Sequence, residues 1–126
     1  MKHHRGIWHS VATRLAVFAA VAVFAGAASA HVFPQTQIPG AGVTVSSPAQ
    51  VAITFDGPLE PAFSSLKVDN AAGTQVNTAK SHVDPKQADV MSVALPPLAA
   101  GRYTVHWAAV ASDGHRTHGD YSFNVK

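Results

Sequence analysis

His31 stands directly behind Ala28-Ser29-Ala30, a small-x-small triplet of the kind at which signal peptidase cuts, and far downstream the chain runs Ser112-Asp113-Gly114-His115. A cut before His31 frees an α-amine with an unperturbed pKa of about 7.7 to 8.0, low enough to lose its proton when a metal competes for the lone pair. The amine and Nδ1 of that one histidine close a chelate ring on a single ion. His115 adds a third nitrogen and Asp113 an oxygen. Three nitrogens and one oxygen in tetragonal array suit Cu(II), which also tops the divalent affinity order. Zn(II) competes for the same set with tetrahedral relaxation. The third residue after the cut is Phe33, so the other amino-terminal copper chelate, which needs a histidine there, is unavailable.

The Asp-Gly-His spacing has two structural interpretations. In an extended segment, Asp113 and His115 leave the same face with Cα atoms roughly 7 Å apart, and Gly114 lets the backbone bend so that the side chains converge. In a turn, Asp113-Gly114 supplies only backbone geometry and His115 is simply exposed. Three further histidines follow His31 in the expected exported chain. His106 falls on the solvent side of a strand, His82 lies in a loop beside Asp84-Pro85, and His118 is three residues past His115.

The first 30 residues are expected to be a cleaved secretory signal. They begin with Lys2, Arg5 and Arg14 and continue with an apolar run from Leu15 to Ala27. That run is 13 residues long, short of the ~20 needed to span a bilayer, so it is read as a cleaved signal and not a membrane span, and no span is expected in the exported chain that remains. Removing 30 of 126 residues leaves 96, enough for one domain, 31–126, with a single core. From His31 onward there are six Lys or Arg (Lys67, Lys80, Lys86, Arg102, Arg116, Lys126) against seven acidic residues, a near balance with no footprint for nucleic acid. There is no cysteine, which removes disulfides, thiolate catalysis and soft thiolate metal sites.

Short alternating segments bounded by Gly, Pro, Asn and Asp recur from Val43 onward, the pattern of an all-β domain. Strands are predicted over Val43 to Val45, Gln50 to Phe55, Ser65 to Asn70, Thr74 to Ala79, Asp89 to Leu95, Arg102 to Val110 and about Gly119 to Val125. Asn70-Ala71-Ala72-Gly73 is a predicted turn. Tyr103, Val105 and Trp107 share one strand face, and Tyr121, Phe123 and Val125 another, so both sets are assigned to the core. The whole describes a small antiparallel sandwich or Greek-key β-barrel.

Taken together these pieces resemble the CopC-type periplasmic copper-binding family. The resemblance rests on the histidine at the processed start, on Val51-Ala52-Ile53-Thr54-Phe55 followed by Pro58-Leu59-Glu60-Pro61-Ala62-Phe63, on Gly101-Arg102-Tyr103-Thr104-Val105-His106-Trp107, and on Ser112-Asp113-Gly114-His115 leading into Gly119-Asp120-Tyr121-Ser122-Phe123. It implies an immunoglobulin-like fold with a Cu(II) site near one end, held by His31, Asp113 and His115. It also implies a monomer that sequesters or delivers copper in the periplasm, in copper homeostasis or resistance, with a CopD-type inner-membrane copper protein as partner. Many relatives carry an acidic residue where this chain has Gly57; Asp56 or Glu60 is then the substitute carboxylate, and His118 is a candidate additional nitrogen or a base beside a ligand. Some relatives hold Cu(I) on methionines, but Met91 stands alone in a strand, which gives no soft site.

Two other functions compete. A metal-free immunoglobulin-like interaction module would make the histidines incidental. A small copper enzyme would use the same amino-terminal chelate for oxidative chemistry, yet 96 residues leave little chain for a second, substrate-binding face. The expected protein is therefore a binder and not an enzyme, with affinity falling as pH drops through about 6 to 8, where an amine and imidazoles take up protons.

Overall fold

The computed structural model describes His3 and residues 31–126; apart from His3, the leader expected over 1–30 lies outside the described residues. Among the described residues, eight strands form two sheets: β1 (Pro34–Ile38), β2 (Thr44–Val45), β3 (Gln50–Phe55), β4 (Ser65–Asn70), β5 (His82–Asp84), β6 (Gln87–Ala94), β7 (Gly101–Val110) and β8 (Arg116–Val125). One sheet has the order β1-β3-β6-β5 and the other β2-β8-β7-β4. The chain passes from one sheet to the other at every connection except β5 to β6 and β7 to β8. All of these pairings are antiparallel save one, the short parallel contact of β2 with β8.

Period-2 alternation builds the core. Val51, Ile53 and Phe55 of β3 with Met91 and Val93 of β6 face Leu66 and Val68 of β4, Tyr103, Val105 and Trp107 of β7, and Tyr121, Phe123 and Val125 of β8. Phe55 meets Trp107 edge-on across the sandwich, with ring centroids 5.4 Å apart. The Asn70 to Gly73 turn is present, closed by the Gly73 N–H to the Asn70 carbonyl, with Gly73 at a positive φ of 80°.

Three local expectations need correction. Thr74 to Ala79 is not a strand: its backbone meets β4 through the Asn70 N–H to the Thr74 carbonyl, the Val76 N–H to the Val68 carbonyl and an isolated bridge between Asp69 and Gln75. The buried Asn77 then takes over by side chain, its Oδ1 accepting the Val68 N–H at 2.8 Å while its Nδ2 donates to the Ala79 carbonyl at 3.0 Å. His82 lies on strand β5, paired with Ser92, and not in a loop. β1 was not expected at all: its Pro34-Gln35-Thr36-Gln37-Ile38 has a single aliphatic residue and begins with proline, which an edge strand tolerates at its first position.

Candidate metal centre

The β7–β8 hairpin turn carries two of the three candidate ligands. The Gly114 N–H donates to the Ala111 carbonyl at 2.9 Å, Gly114 takes a left-handed φ of 89°, and the Ala111 N–H returns to the His115 carbonyl at 2.9 Å. The segment is thus a turn and not extended, and the turn itself makes Asp113 and His115 converge. Asp113 Oδ1 accepts the His115 backbone N–H at 3.1 Å, in the manner of an Asx turn, and Oδ2 lies 2.6 Å from His115 Nδ1.

Those two contacts have an electrostatic consequence. The hydrogen bonds from the His115 backbone and then from its ring hold the Asp113 carboxyl below its ordinary value of 3.8, so the group is an acceptor only. The proton between them therefore belongs to Nδ1, which leaves the lone pair of the neutral ring on Nε2, free for an ion. Each carboxylate oxygen also keeps a second lone pair.

His31 arrives from the opposite side of the chain. Its ring centroid is 4.9 Å from that of His115, with the planes tilted by 36°. The approach follows from the residues behind it: Val32 is buried in the core, Thr117 Oγ1 of β8 donates to the Val32 carbonyl at 2.7 Å, and Asp56 at the end of β3 is bonded to Phe33. A recess of about 260 Å³ beside His31 is lined by Val32, Asp56, Gly57, Pro58, Ala111 and Ser112. Asp56 and Thr117 carry no motif that singles them out as a pair; only the carboxylate of Asp56 is a sequence signal.

The remaining candidates stand apart. Glu60 ties its loop to the sandwich through its backbone, with its N–H on the Val110 carbonyl, and His118 is exposed on β8 opposite Ala108. Among the described residues neither side chain bonds to His31, Asp113 or His115. His106 is half-buried with Nε2 3.2 Å from Asp69 Oδ2, on the outer face of its sheet as expected. A larger groove, of about 550 Å³, opens on that face beside His106 and Lys67, remote from the His31 recess in its lining.

Donor chemistry fits copper only if His31 is a chain end. Among the described residues no group of three or more His, Asp or Glu side chains suffices by itself for a metal ion. Two imidazoles, a carboxylate and one α-amine do make a set of four donors.

Comparison with known proteins places these features in context. The CopC domain model matches residues 35–126. The chain is 35% identical over 98 residues to the copper transport protein CutJ of Bacillus subtilis (strain 168), a match that covers 76% of this chain but 18% of CutJ. It is 32% identical over 111 residues to copper resistance protein C of Escherichia coli, covering 79% and 84% of the two chains. Among solved structures, CopC from Methylosinus trichosporium OB3b superposes with a TM-score of 0.72 at 32% identity, covering 76% of this chain and 94% of that one. PcoC, a methionine-rich copper resistance protein from Escherichia coli, gives 0.69 at 30% identity, covering 76% and 99%.

Proposed function

The chain belongs to the CopC family, whose members are copper-binding or copper-transport proteins and not enzymes, and from that premise we propose that it binds Cu(II) in the periplasm after a leader is cut off before His31. The observation that carries this reading is the meeting of the His31 and His115 rings at 4.9 Å, with Asp113 fixing the free lone pair of His115 on Nε2. The amine and ring of His31, Nε2 of His115 and a carboxylate oxygen of Asp113 are the proposed donors. Copper held this way is cargo, sequestered or handed on, and a CopD-type membrane protein is the proposed recipient.

The test is a Cu(II) titration followed by electron paramagnetic resonance on the chain beginning at His31. A single type-2 spectrum with nitrogen couplings is expected, abolished by one extra residue before His31. His115→Ala should lower affinity at least tenfold, about 1.4 kcal/mol, while His82→Ala leaves it unchanged. Equal losses from the two variants would mean diffuse histidine binding, and an extension without effect would remove the amine from the site.

A further inference from the structure

The geometry points to Asp56 and Thr117 as positioning residues that clamp the start of the exported chain so that His31 meets His115, an inference that rests on the chelate reading above. Chain ends are ordinarily poorly ordered unless something ties them down. Here the ties begin one residue behind His31. Thr117, itself buried, donates its hydroxyl to the Val32 carbonyl at 2.7 Å. Asp56 engages the next residue twice: its Oδ1 accepts the Phe33 N–H at 2.9 Å, and its own N–H donates to the Phe33 carbonyl at 2.9 Å.

The side chain between these bonds is held as well. Val32 is only 4% exposed, and its Cγ1 lies so close to Gly57 that a Cβ built on that glycine would come within 3.1 Å. Phe33, the following residue, is 53% exposed, so burial fixes Val32 while hydrogen bonds alone fix Phe33. Thr117 stands two residues after His115, and its partner Val32 stands one residue after His31. A single buried hydroxyl therefore links the segments that carry the two imidazoles. Without the clamp, the first residues would have to be ordered at the moment the metal binds, and the affinity would fall by that entropy.

The chain beginning at His31 is prepared with Asp56→Ala, Asp56→Asn, Thr117→Val and Thr117→Ser. In the metal-free protein, hydrogen exchange at the Phe33 amide should lose its protection in Asp56→Ala and keep it in Asp56→Asn, whose amide oxygen still accepts the bond. Cu(II) affinity should fall about tenfold in Asp56→Ala and in Thr117→Val, the scale of ordering one backbone residue. The Asn and Ser variants should stay within about threefold of the parent, which converts to less than 1 kcal/mol. If Asp56→Asn loses as much affinity as Asp56→Ala, Asp56 acts through its charge or as a ligand, and the clamp is overturned. If one added residue before His31 abolishes binding while Asp56→Ala and Thr117→Val bind as the parent does, the clamp fails and the chelate stands. If the added residue changes nothing, the chelate reading itself falls.

Discussion

Gly119 on β8 lies directly across from Trp107 on β7, and a Cβ built there would sit 2.7 Å from Trp107 Cζ2 and 3.1 Å from its Nε1. No carbon packs that close, so Gly119→Ala must displace an indole that is already edge-on to Phe55. Overpacking of this kind costs about 1–3 kcal/mol, and the urea midpoint of the variant should fall with the slope unchanged. An unaltered midpoint would show that the indole has room to move. At this scale the sequence is informative where chemistry is carried by residue type: His31, Asp113 and His115 stand out because amine, imidazole and carboxylate at those positions have few other joint uses. Thr117 does not stand out, and Asp56 does so only as a carboxylate beside Gly57, not as a backbone anchor. Their partners lie 85 and 23 residues away along the chain, and a hydroxyl or carboxylate reveals such a bond only after the sheets are assembled.

Strands were legible in proportion to their contrast. β3, β4 and β7 alternate large apolar residues with polar or small ones over six or more positions, and their limits match the expected segments within a residue. β1 and β5 carry too little apolar contrast, and Thr74 to Ala79 carried a false one, overridden when Asn77 satisfied the Val68 amide from its side chain. β8 shows how a single polar atom can anchor an element. The Tyr121 hydroxyl donates to the Pro39 carbonyl at 2.9 Å, buried beneath the segment that joins β1 to β2, and burial pushes its pKa up to about 12 from the ordinary 10.0. A phenol whose pKa is raised on folding contributes its full stability below the unfolded value and loses it as pH climbs through the folded one. Stability should therefore decline between about pH 10 and 12. Tyr121→Phe should cost about 1 kcal/mol at neutral pH, the worth of one hydrogen bond, and should flatten the alkaline decline. Urea unfolding at pH 8 and at pH 11 measures both effects, and an equal alkaline loss in the variant would assign it to another group.

For the molecule as a whole, the proposed metal and the fold are coupled by mass action. A ligand that binds only the folded chain stabilises it by about 2.7 kcal/mol at one hundred times its Kd, and for a domain of this size each kcal/mol raises Tm by about 4–8 °C. Cu(II) should thus raise the Tm of the chain beginning at His31 by about 10–20 °C, and leave the chain that retains Ala30 nearly unmoved. The acid dependence separates nitrogen donors from the carboxylate. Asp113 has its pKa lowered below 3.8, so whatever stability it contributes is present above that value and is lost only as pH falls through the lower, folded one. It stays ionised throughout the range of about pH 8 to 6 in which an amine and imidazoles take up protons. The copper-induced rise in Tm should accordingly vanish across that range, while whatever Asp113 contributes to the metal-free protein persists until below about pH 4. Calorimetry from pH 8 to pH 4, with and without Cu(II), follows the two processes separately. A copper effect that persists to pH 4 would mean that carboxylates hold the metal, and the amino-terminal chelate would have no part in it.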